Sequence, residues 1–123
     1  MPGTTRNQNL GVDVLPRYKF EALVQDALDD LPDELLPVLD NVVVQVYDEH
    51  PDEPDLLGLY EGTPHTERWG DEPPDVVSIF RRPLCAMCDD LDDLAEEIYV
   101  TVIHEIAHAA GIDDARLHEL GWA

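Results

Sequence analysis

The sequence predicts an α+β domain, on three observations. An apolar repeat of helical period runs from Phe20 to Leu31, three short β-rich runs lie between residues 42 and 80, and a long amphipathic segment spans Asp89 to Ala110. In the first, Phe20, Leu23, Val24, Ala27, Leu28 and Leu31 recur at i, i+3, i+4 and i+7, and Pro32 ends the repeat. Asp33 to Leu39 reads as a further short helical turn, limited by Pro37. Val42 to Tyr47 is rich in β-branched residues and is the clearest strand. After a polar loop with two prolines, Leu56 to Tyr60 reads as a second strand. Val76 to Phe80 reads as a third, closed by Arg81-Arg82-Pro83. In the last helix Asp89, Asp90, Asp92 and Asp93 crowd the first turn, where free amides and the helix dipole favour negative charge. Its 3.6-residue period gathers Leu91, Leu94, Ala95, Ile98, Val102, Ile106 and Ala109 on one broad face, with His104 and His108 on its flank.

A chain of 123 residues suits one core and is too short for two. Residues 1–15 carry no periodicity and are expected to form a flexible arm, leaving residues 16–123 as a single domain. Neither a transmembrane stretch nor the apolar core of a secretion signal is found, so a cytoplasmic protein without membrane contact is expected. Twenty-eight acidic residues against seven basic ones give a net charge of −21, which repels nucleic-acid phosphates and attracts cations and basic peptides. The simplest role of that charge is a solvated, soluble surface. Cys85 and Cys88 form a lone C-x-x-C, one pair short of a four-thiolate zinc site, and are expected to pack near the start of a helix rather than to do redox chemistry.

The chemistry concentrates near the C-terminus. His104 and His108 are one helical turn apart, so both imidazoles can grip one ion, and zinc suits such a set. Glu105, one residue on, reaches the open side of that ion without ligating it and is placed to act as a general base. Read onward, the chain gives H-E-x-x-H-x-x-G-x-x-D. Gly111 supplies the reversal, and Asp114 then returns an oxygen to the same ion as third ligand. Asp113 is the alternative ligand; spacing favours Asp114, with the other aspartate capping the short helix Ala115 to Leu120.

This motif resembles the zinc signature of the metzincin metallopeptidases. The ending HEIAHAAGIDDARLHELGW, with LLGLYEGTPHTERWG and PPDVVSIFRRPL upstream, is similar to the small bacterial zincin-like metallopeptidase family over roughly residues 17–122. The resemblance implies a minimal zincin-like fold, a small three-stranded sheet packed on the active-site helix. It also implies His104, His108 and Asp114 as zinc ligands, Glu105 as general base, and a peptide or protein as substrate. The chain departs from the metzincins in having no methionine after the third ligand. The competing reading is a non-catalytic acidic module that binds metal or a basic protein.

Other residues carry further expectations. Glu97 could orient an imidazole, although an exposed helix acid is the simpler role. His50, His65 and His118 are not expected to be ligands. Tyr60 and Trp69 bracket a long loop and could line a substrate cleft, while Gly121-Trp122 ends the last helix. An edge strand, Leu56 to Tyr60 or Val76 to Phe80, could hold an extended peptide.

Overall fold

Helix α1 (Arg17–Asp29) buries Phe20, Val24 and Ala27 on one stripe and stops where Asp30 caps it and Pro32 follows. A computed structural model describes this and the rest of residues 15–62 and 74–121. Segment Asp33–Asn41 is a 3₁₀ helix that accommodates Pro37 and buries Leu35. Strands β1 (Val42–Tyr47), β2 (Gly58–Glu61) and β3 (Asp75–Phe80) form one sheet in the order β1-β3-β2. Helices α2 (Arg81–Ala86), α3 (Leu91–Ala109) and α4 (Asp114–Leu120) complete the chain, an α+β arrangement with a small three-stranded mixed sheet.

Strand β3 pairs in parallel with β1, Val42 opposite Asp75 through Tyr47 opposite Phe80, and antiparallel with β2, Gly58 opposite Ile79. Val76 to Phe80 is therefore central, which corrects its reading as an edge. Its composition gives the physical reason: Val77 and Ile79 are fully buried on one face and Ser78 and Phe80 nearly so on the other. The second strand starts at Gly58 rather than Leu56, because a turn in which the Leu56 amide donates to the Glu53 carbonyl holds the preceding residues.

Helix α3 packs on α1, β2 and β3 through Leu94, Ile98, Val102 and Ile106, all fully buried at four-residue spacing. The Asp90 carboxylate caps it by accepting from the Asp93 amide at 2.8 Å. Leu91, expected on the buried face, is 54% exposed at the first position of α3, and burial begins three residues on at Leu94. Arg81-Arg82-Pro83, expected to close a strand, instead opens α2. Pro83 lies in the first turn, where a missing N–H costs nothing. Arg81 anchors that turn, donating to the Leu15 carbonyl at 2.8 Å and pairing with Asp48 at 3.1 Å. Among the described residues no helix is long and apolar enough to cross a membrane. The proposed arm falls almost wholly outside the described residues.

Cys85 and Cys88 are both buried thiols, Cys85 in α2 and Cys88 just before α3. Burial, reinforced by Asp93 and Glu97, pushes the Cys88 thiol up from 9.0 to about 11. Thiolate is thus scarce at neutral pH, which disfavours redox use. The linkage has a definite sign: the unfolded chain ionises near pH 9.0 and the folded one near 11, so stability is intact below pH 9 and falls between them. Urea midpoints should drop more steeply over that range for wild type than for Cys88→Ala; parallel curves would rule the thiol out as the cause.

Candidate metal centre

Three consecutive local structures place the site. The first is α3 itself, which sets His104 and His108 side by side with ring centroids 4.4 Å apart and planes at 71°. Both rings are about one-third exposed, since the opposite face of the helix is committed to the core.

The second is the reversal after Ala110. Gly111 adopts φ +85°, a left-handed conformation that costs glycine nothing. Its amide donates to the His108 carbonyl and the next amide, Ile112, to the Ala107 carbonyl, both at 2.9 Å. This double closure satisfies the last carbonyls of α3 and turns the chain back. Ile112 packs against the core and fixes the exit direction.

The third is the start of α4. Asp113 is its cap, its carboxylate accepting from the Arg116 amide at 2.9 Å. Asp114 is thereby left in the first turn, its Oδ1 lying 2.9 Å from His108 Nε2 and 3.5 Å from His104 Nε2. The hydrogen bond with His108, the largest influence, holds the Asp114 carboxyl below its usual range. The two adjacent aspartates thus do different work: one satisfies a helix end, the other faces the imidazoles.

Glu105 approaches from the other side. Its side chain is only 12% exposed and its Oε1 lies 3.6 Å from His108 Nδ1, the ring nitrogen opposite the one facing Asp114. Burial pushes its carboxyl above the ordinary range; the two imidazoles oppose that rise, and Asp114 adds to it.

Two sets of metal-capable atoms share the histidines. His104, Glu105 and His108 bring one ligand atom each within 4.8 Å of one another. In the set with Asp114, its Oδ1 lies within 3.5 Å of a nitrogen of each ring. Zinc–ligand bonds of about 2.0–2.2 Å in a tetrahedron separate ligand atoms by roughly 3.3–3.6 Å. The distances of 2.9 and 3.5 Å from Asp114 Oδ1 to the two nitrogens are close to that spacing. The donors fit zinc, being two imidazoles and a carboxylate, and they leave Glu105 beside the site.

The remaining candidates fall elsewhere. Glu97 is half-buried on the same side of α3 and lines a cavity with His104 and Glu105. The Tyr60 hydroxyl donates to Asp75 Oδ2 at 2.8 Å, bracing the sheet. His50 Nδ1 accepts from the amides of Asp52 and Glu53, and its ring meets Phe80 edge-on. His118 is exposed on α4, which ends at Gly121 with φ +77°. His65, Trp69 and Trp122 lie outside the described residues.

Gly58 is a site residue that periodicity does not reveal. A Cβ at this position would stand 2.8 Å from Thr101 Cγ2 and 3.1 Å from Glu105 Cγ. β2 thus presses directly on the helix at the acid, and only a side-chain-free residue permits it. A glycine within a strand is the available signal, since it marks close backbone approach. Gly58→Ala is expected to cost about 1–3 kcal/mol of stability by overpacking. It should also lower any turnover disproportionately, because the yielding atoms include Glu105. Thermal melts compared with steady-state rates, measured well below the melting point, check this.

The family described as zincin-like metallopeptidase matches residues 39–122, about two thirds of the chain, and the match takes in the sheet, α3 and α4. No curated protein matches the sequence.

Proposed function

The chain belongs to the zincin-like metallopeptidase family, and from that premise we propose that it hydrolyses peptide bonds, with His104, His108 and Asp114 holding zinc and Glu105 as general base. The observation that carries this reading is the convergence of Asp114 Oδ1 on both imidazole Nε2 atoms while Glu105 stands by the opposite ring nitrogen. Zinc bound there would polarise a scissile carbonyl and acidify a water.

The chain's own residues do the rest. Glu105, buried enough to hold a proton more tightly than a solvated carboxylate, takes one proton from the attacking water. The water oxygen bonds to the carbonyl carbon, the C–N bond breaks, and Glu105 returns that proton to the departing amine. The second proton of the water follows to the amine, so the products are a carboxylate and an ammonium, with no net change at Glu105. Among the described residues β2 pairs on one edge only, and its other edge can receive an extended peptide by strand addition. The site is open to solvent on the Asp114 side, so substrate needs no deep entrance.

Elemental analysis of the purified chain, followed by exposure to a mixed peptide pool, tests the proposal. One zinc per chain is expected, with cleavage that a chelator abolishes and added zinc restores. A zinc-loaded chain that cuts nothing in the pool would overturn the catalytic part.

A further inference from the structure

A cavity of about 380 Å³ opens beside Glu105, between α3 and the segment leading into β2. It is large enough for one long side chain. Leu56, Leu57 and Val100 give it apolar walls, and Glu105 lines it together with Gly58 and His104. Two further carboxylates line it: Asp55, which is exposed, and Glu97, which is half-buried. Among the described residues no lysine or arginine lines it and neither acid forms an ion pair.

We propose that this cavity selects a lysine or arginine side chain of the substrate, with Glu97 and Asp55 as the specificity-determining residues. The proposal rests on the peptidase reading above for its location, and on the lining for its chemistry. Lysine and arginine bury an aliphatic stem while keeping the charged head near polar groups, which matches apolar walls with carboxylates beside them. A neutral apolar side chain would fill the walls but leave half-buried Glu97 uncompensated. An acidic side chain would meet Glu97, Asp55 and Glu105 together and be rejected. The net charge of −21 acts in the same direction at longer range, drawing basic segments toward the protein.

Binding separates this proposal from the catalytic one, because it needs no turnover. Two blocked tetrapeptides that differ only in lysine or norleucine at one position are titrated into zinc-loaded protein at physiological salt. The lysine peptide should bind about tenfold tighter to wild type. That preference should collapse to about twofold or less in Glu97→Gln/Asp55→Asn. It should persist in Asp26→Asn/Asp30→Asn, which removes the same charge from acids on and just after α1, outside the cavity. Equal affinity of the two peptides for wild type, or equal loss in both double variants, would overturn the proposal. Cleavage of a peptide pool with no enrichment of basic residues near the cut bond would overturn it too, while leaving the peptidase reading standing.

Discussion

Glu105→Gln should lower peptide turnover by about a thousandfold while the protein still binds one zinc. Proton transfer by a positioned side chain contributes roughly 10²–10⁴ to a rate. Glutamine matches the carboxylate in shape and can take no proton. The structure makes the experiment clean. Glu105 approaches His108 through Nδ1 at 3.6 Å, whereas Asp114 meets Nε2 at 2.9 Å, so the substitution leaves the proposed donor set intact. Its buried carboxyl is already held above the usual range, so a neutral side chain there carries little folding penalty. Turnover and zinc content measured on one preparation decide the matter. Unchanged turnover would remove Glu105 from the mechanism, and a parallel loss of zinc would make it a ligand.

His108→Ala should act on the metal instead. His108 touches Asp114 at 2.9 Å and lies within contact range of His104, so its imidazole is the centre of the set. Its removal leaves two donors and should weaken zinc binding by at least about 100-fold. A ligand present at 100 times its Kd stabilises the folded state by about 2.7 kcal/mol. Zinc should therefore raise the wild-type melting temperature and leave that of His108→Ala unmoved. Asp114→Ala sharpens the comparison. The Asp114 side chain is 78% exposed, so the metal-free melting temperature should hardly change while the zinc-dependent rise shrinks. A full rise in Asp114→Ala would assign the third position elsewhere, with Glu105 the nearest candidate.

What could be read from the sequence follows from which forces are local. The stripe Phe20, Val24, Ala27 and the spacing of Leu94, Ile98, Val102 and Ile106 specify α1 and α3, because one periodic face must be buried whatever covers it. β1 and β3 were legible for a similar reason, but their neighbours were not. Strand order depends on pairing between distant segments, and nothing local marks Val76 to Phe80 as central. α2 was hidden because Arg81-Arg82-Pro83 reads as a terminator, while its helical turn is held by Asp48 and the Leu15 carbonyl, far away in the chain. In the site, the motif names the two histidines, the acid and the reversal. Spacing already favoured Asp114 over Asp113, and the cap that Asp113 makes on the Arg116 amide adds the geometric reason. Gly58 was invisible as a site residue because its significance lies in what β2 rests upon.

The brevity of β2 sets a limit on what such a protein can recognise. An edge strand of four residues turns the amide and carbonyl of only every second residue outward, so about two residues, and some four backbone hydrogen bonds, are available to a guest chain. If β2 receives a peptide as proposed, a main-chain grip of that length would hold three or four of its residues. Under the proposed peptidase function, discrimination among sequences would then come from the one or two side chains nearest the scissile bond, and short or unfolded segments would be cut where folded proteins are spared.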